Sequence, residues 1–150
     1  MKHFIPAFVL LLGGTLFLSS CTKDGLTPRE QKLIGTWEVH KVTYCKPLSI
    51  NTQEETDLHR GAALTFFEDH SLTLVDPSGN TFTGNWELYR NRLATDDGST
   101  SAEFLDLNLF DATTGSVARV LGRKVYLTNQ KLRSVDGDFT KGQHNYRWRK

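Results

Sequence analysis

The chain has 150 residues, with 18 Lys+Arg against 17 Asp+Glu and a formal net charge of +1. That length suits one domain rather than two, and the balanced charge argues against nucleic acid as a partner, which asks for a basic face. Mixed charge with 11% aromatic residues excludes global disorder and supplies one core.

Lys2 and His3 form a short positive region, and Phe4 to Leu18 form an apolar one broken by Pro6, Gly13, Gly14 and Thr15. The apolar run falls short of the roughly 20 residues a membrane-spanning helix needs. Ser19 and Ser20 follow it, as small residues do at a cleavage site. Residues 1–20 therefore read as a signal peptide. Leu18-Ser19-Ser20-Cys21 resembles the lipobox of bacterial lipoproteins. The resemblance implies a diacylglycerol thioether on Cys21, cleavage before it and acylation of the new amine. Membrane attachment through lipid at Cys21 is then expected, because each buried CH₂ contributes about 0.8 kcal/mol and two or more chains anchor stably where one does not. Residues 21–26 read as a tether. Thr22 rather than Asp follows the cysteine, which resembles lipoproteins of the outer membrane. Lys23-Asp24 partly resembles a surface-display signal, so the periplasmic and surface-exposed faces both stay open.

Residues 27–150 form the expected domain. Thr27-Pro28-Arg29-Glu30 has the makings of a helix start, with a capping residue, a proline suited to the first helical position and a glutamate that completes a capping box. The helix is short, to about Leu33. Thr36 to Tyr44 is rich in β-branched and aromatic residues, and its apolar phase shifts between Val39 and Val42, which predicts a bulge near Lys41. Residues 46–61 are polar and irregular and are expected to be the longest loop. Ala63 to Phe67 and Leu72 to Val75 flank a turn at Glu68-Asp69-His70, and Asp76 to Asn80 make another. From Thr81 to Leu88 the chain alternates, with Phe82, Gly84, Trp86 and Leu88 on one face. A weaker strand covers Arg92 to Thr95, with a turn at Asp96 to Ser101. Glu103 to Phe110 alternates again. Ser116 to Leu121 and Lys124 to Thr128 read as a tight hairpin through Gly122-Arg123. Lys131 to Val135 reads as a strand, Asp136-Gly137-Asp138 as a turn, and Gln143 to Arg149 as the last strand.

Eight or nine short strands joined by a few residues each make an antiparallel meander. The expected fold is all-β, an up-and-down barrel of about eight strands preceded by the short helix, because closure removes exposed edges. A two-sheet β-sandwich is the alternative. At Gly35-Thr36-Trp37 the chain resembles the lipocalin and wider calycin group, whose barrels open with Gly-x-Trp after a short helix. Leu33 to Val39 and Gly84-Asn85-Trp86-Glu87-Leu88 look like the lipocalin-like domains of small Gram-negative lipoproteins, over roughly 30–150. The resemblance implies that Gly35 and Trp37 close the barrel base, with Arg147 or Arg149 lying across the tryptophan. The Thr-Asp-Tyr motif of the larger family is absent, which favours the looser lipocalin-like description.

No residue set declares a catalytic chemistry, a metal site or a cofactor. His40, His59, His70 and His144 lack zinc-ligand spacing, Asp96-Asp97-Gly98 and Asp136-Gly137-Asp138 lack the remaining ligands of a calcium loop, and no Gly-x-Ser-x-Gly elbow occurs. With Cys21 lipidated, Cys45 has no disulfide partner and reads either as buried and inert or as a reactive thiol. The expected inward set is Val39, Leu64, Phe66, Leu72, Leu74, Phe82, Trp86, Leu105, Leu107, Val125, Leu127, Tyr146 and Trp148. It describes an apolar pocket with room beside Gly84, or a solid core. The leading expectation is therefore non-catalytic binding of a small apolar or amphipathic ligand in the barrel, at the cell envelope. An envelope protein-interaction module working through residues 46–61 and 96–101 is the second reading, and a thiol-dependent enzyme at Cys45 the third.

Overall fold

The computed structural model describes residues 25–95, 98–111, 113, 117–138 and 140–150. The signal segment 1–20, Cys21, most of the tether and Asp96-Asp97 lie outside the described residues. Helix α1 (Pro28–Leu33) forms on the expected capping box: Glu30 N donates to Thr27 Oγ1 at 3.3 Å, and Thr27 N donates to Glu30 Oε2 at 2.6 Å. Nine strands follow: β1 (Gly35–Cys45), β2 (Thr52–Glu54), β3 (Ala63–Phe66), β4 (Ser71–Val75), β5 (Thr81–Thr95), β6 (Gly98–Asp111), β7 (Val117–Leu127), β8 (Lys131–Asp138) and β9 (Gly142–Arg149).

All nine belong to one antiparallel sheet in the order β2-β1-β3-β4-β5-β6-β7-β8-β9, and β9 pairs back onto β1, which closes the sheet into a ring. One sheet, rather than two stacked sheets, carries the core. Strand β1 makes the closure possible because it is long. Gly35 to Glu38 pair with β3, Thr43 to Cys45 pair with β2, and its other edge pairs with β9 from Glu38 to Cys45. The β1–β9 register shifts between Val39 and Lys41, where the apolar phase change predicts it.

Four expected boundaries move, each because a neighbouring strand supplies partners that local sequence does not announce. The loop 46–61 contains β2 and a 3-10 turn, Thr56–His59, since the far edge of β1 would otherwise be unpaired. Strand β5 runs unbroken to Thr95, and β6 begins at Gly98, so Ser99 to Ser101 lie in a strand rather than a turn. Gly122-Arg123 is not a hairpin turn. Both residues stay in β7, opposite Asp106 and Leu105 of β6. Asp136, Gly137 and Asp138 continue β8 opposite His144, Gln143 and Gly142, with Gly137 at φ +84° in a conformation that suits glycine.

The inside of the ring is a single apolar cluster that includes Trp37, Leu64, Phe66, Leu72, Trp86, Leu105, Leu107, Val125, Leu127, Tyr146 and Trp148. Val42, Leu109 and Leu132 join it, as do Leu26 and Leu33 from the N-terminal segment. Helix α1 closes one end. Arg29 holds it there by donating from Nε and Nη2 to the Glu103 carboxylate at 2.7 and 2.8 Å, and from Nη1 to the Leu127 carbonyl at 3.2 Å.

Candidate functional site

Packing leaves an apolar cavity of about 80 Å³ within the ring, toward the end away from α1. Its walls come from alternate residues of six strands: Val39 of β1, Leu64 of β3, Leu74 of β4, Leu105 and Leu107 of β6, Leu132 and Ser134 of β8, and Tyr146 and Trp148 of β9. His59, Ala62, Asp76 and Pro77 complete it at the rim. Ligand pockets commonly measure about 300–1,000 Å³, and an apolar cavity of about 150 Å³ can take up benzene. The space here therefore holds one short apolar group, not a whole lipid.

The period-two alternation of β9 sends His144, Tyr146 and Trp148 to one face, where successive rings stack at 6.0 Å and 5.8 Å between centroids. Tyr44 lies on His144 at 4.6 Å, and His59 meets the Tyr146 ring edge-on at 5.4 Å. Glu55 Oε2 is 3.3 Å from His144 Nε2. The rim is thus polar and titratable, while the wall below it is aromatic and apolar. Within that wall Trp148 Nε1 donates to Ser134 Oγ at 3.1 Å, so the indole N–H is satisfied without water.

At the opposite end Trp37 is fully buried, and its Nε1 donates to the Leu33 carbonyl at 2.6 Å. The cation over its ring is Lys150, with Nζ 5.0 Å from the centroid and a 2.9 Å hydrogen bond to the Lys32 carbonyl. Burial pushes the Lys150 ammonium below its ordinary pKa. Arg147 and Arg149, the expected partners of Trp37, are exposed on the outside instead, because Tyr146 and Trp148 take the inward phase of β9. Gly35 enters β1 at φ +112° beside Lys150. A second base contact joins α1 to the sheet: His70 stacks on Trp86 at 4.6 Å, and its Nε2 lies 3.5 Å from Glu30 Oε1.

The structure brings seven of the expected inward residues to the cavity: Val39, Leu64, Leu74, Leu105, Leu107, Tyr146 and Trp148. Phe66, Trp86, Val125 and Leu127 are buried elsewhere in the core, and Phe82 is half-buried against it. Gly84 leaves no room. A Cβ there would sit 1.7 Å from the Asn108 carbonyl oxygen, so the β6 backbone fills the space expected for a ligand. His59, Ala62, Asp76, Pro77, Leu132 and Ser134 are the lining residues that sequence reasoning missed. The alternation Lys131-Leu132-Arg133-Ser134 carries a signal for two of them. The others sit in turns, whose direction depends on the strands they join.

Cys45 is half-buried, and its thiol donates to the Ser49 carbonyl at 2.7 Å. Among the described residues no group of three or more His, Cys, Asp or Glu is placed to hold a metal ion. No protein-family model, curated protein or solved structure matches the chain.

Proposed function

We propose that the chain is a lipid-anchored lipoprotein of the bacterial envelope, held to the outer membrane at Cys21, whose ring is a lipocalin-like barrel that binds a small amphipathic ligand. The observation that carries this reading is the apolar cavity under a polar rim. A short apolar group enters between Leu107 and Trp148, and the polar part stays at the rim with Asp76, His59 and the Glu55–His144 pair. Binding is reversible and involves no covalent chemistry. The sealed base, with Trp37 under Lys150, makes the rim the way in. Native mass spectrometry of the protein extracted from its host membrane tests both halves. A diacylglycerol-modified Cys21 and a co-purifying small molecule are the expected masses, with a rise in fluorescence of an apolar dye added to ligand-free protein. An unmodified Cys21 removes the anchor, and the absence of both adduct and dye response removes the ligand.

A second reading rests on a separate observation. Leu48, Ile50 and Leu58 are 72%, 90% and 70% exposed, and all three lie on the segment 46–61. Such apolar exposure on one segment fits a surface for an envelope protein. Replacing the three with serine and repeating a crosslinking pull-down distinguishes the readings, since an unchanged partner set leaves only the ligand.

A further inference from the structure

On the outer surface, Lys131 of β8 lies opposite Arg149 of β9, and Arg133 lies opposite Arg147. Because Leu132, Ser134, Tyr146 and Trp148 occupy the inward phase, all four cations project outward, and all four are exposed. Side chains opposite one another stand about 4.5–5.5 Å apart at Cβ, and successive outward residues of a strand about 7 Å apart. Four positive charges thus occupy one small block. Like charges directly opposite weaken a sheet, yet no carboxylate of a described residue lies within salt-bridge distance of any of the four. Glu38, the β1 partner of Arg149, flanks one corner, and Glu54 is taken by Lys41 at 2.8 Å. Tyr126 of β7 borders Arg133 and is 52% exposed, with Lys124 Nζ and Arg133 Cζ each 5.7 Å from its ring centre.

We propose that this face of β7, β8 and β9 docks onto the phosphate headgroups of an anionic lipid surface. Three observations favour a membrane over another polyanion. The cations line a groove that is open to solvent rather than an enclosed pocket, which suits a plane of repeated phosphates. The exposed Tyr126 ring is of the kind that settles at headgroup depth, and the guanidinium forks of the three arginines match phosphate oxygens. The third is position. Lys131 shares a groove with Arg29 and Lys32 of α1, so the face adjoins the point where the described chain begins at Gly25. Cys21 lies four residues earlier, a span of at most about 14 Å. The inference rests on the anchoring proposed for Cys21 in this last point only. Anchor and basic face then act as two signals for one surface, and the ring leans on the bilayer with its rim clear.

The test is co-sedimentation of the full-length chain with vesicles of phosphatidylcholine, or of phosphatidylcholine mixed with phosphatidylglycerol, at low and high salt. The N-terminal segment is common to every variant, so the change in the ratio of the two partition coefficients between variants reports the basic face. Each cation near an anionic surface contributes about fivefold. The expected ratio for the four cations is about 600-fold at low salt and close to one at high salt. The double variant Arg133→Gln with Arg147→Gln lowers it by about 25-fold, with an unchanged melting temperature. Lys46→Gln, at the other end of the ring, leaves it within about twofold. A ratio near one for the unaltered chain, or an unchanged ratio in the double variant, overturns the proposal. Salt-sensitive retention on heparin without vesicle preference also overturns it and gives the face to an acidic macromolecule. An unlipidated Cys21 overturns the anchor alone and leaves the ratio to be judged on its own.

Discussion

Trp148 Nε1 reaches diagonally across the β8–β9 pair to Ser134 Oγ, whose Cα partner is Tyr146. The serine is 8% exposed and presents a hydroxyl to an otherwise apolar wall. Ser134→Ala removes the acceptor and leaves a buried indole N–H without one. The expected cost is about 1–3 kcal/mol, read as a lower urea midpoint with an unchanged m-value. Ser134→Thr keeps the hydroxyl and separates the hydrogen bond from packing. Equal midpoints for the alanine variant and the unaltered chain would show that the bond contributes nothing.

Leu107 sits deeper in the same wall and is 2% exposed. Leu107→Ala enlarges the cavity beyond its present 80 Å³ or so and costs roughly 2–5 kcal/mol, depending on how far the walls relax. If ligand enters here, the variant binds an apolar dye more tightly despite its lower stability. Ala62→Leu does the reverse by filling the rim, at about 1–3 kcal/mol. Dye titrations of the two variants should therefore move in opposite directions. Identical titrations would place dye binding elsewhere on the molecule.

Much of the fold is legible because its signals are local. The capping box at Thr27 and Glu30, the alternation through Phe82 and Trp86, and the phase change beside Lys41 all act within a few residues. The strands mistaken for turns fail for the opposite reason. Gly122-Arg123 between two apolar runs satisfies a hairpin locally, but β6 runs past it unbroken, and the Asp106–Gly122 pairing holds the backbone extended. The cavity is harder still to read. It exists because side chains from six strands stop short of one another, a property of ring diameter rather than of any segment. The partner of Trp37 was legible in principle. Once Tyr146 and Trp148 point inward, Arg147 and Arg149 cannot, and Lys150 is the next cation along.

Gly84 is required by a close approach of strands. A methyl group at this position meets the Asn108 carbonyl oxygen at 1.7 Å and the Asn108 carbonyl carbon at 2.8 Å, both backbone atoms that cannot rotate away. Gly84→Ala must separate β5 from β6 and is expected to cost about 3 kcal/mol, the upper end of overpacking effects. Gly79→Ala gives the comparison. Gly79 has φ +85° but open space around it, so only the left-handed conformation is penalised, at about 1–2 kcal/mol. A chemical denaturation series should rank the first variant below the second. The reverse order would mean that β6 shifts easily at Asn108.

Glu30 makes stability depend on acid. Burial acts to raise its pKa, but hydrogen bonds from the Thr27 hydroxyl and backbone and from His70 outweigh that, and the carboxyl lies below its ordinary value of 4.5. The folded state therefore holds the Glu30 proton less readily than the unfolded chain does. The resulting stability is complete above the ordinary carboxyl range and is lost as pH falls through the lowered folded value. Glu30→Gln keeps a side chain that can complete the capping box but removes the charge. Urea midpoints of the two proteins should differ at about pH 7 and converge as pH falls through and below the lowered folded value. Glu30→Ala, which also loses the cap, should remain less stable than the glutamine variant at both. A gap between wild type and Glu30→Gln that does not change with pH would show that the Thr27 and His70 contacts do not discriminate between the charged and neutral carboxyl.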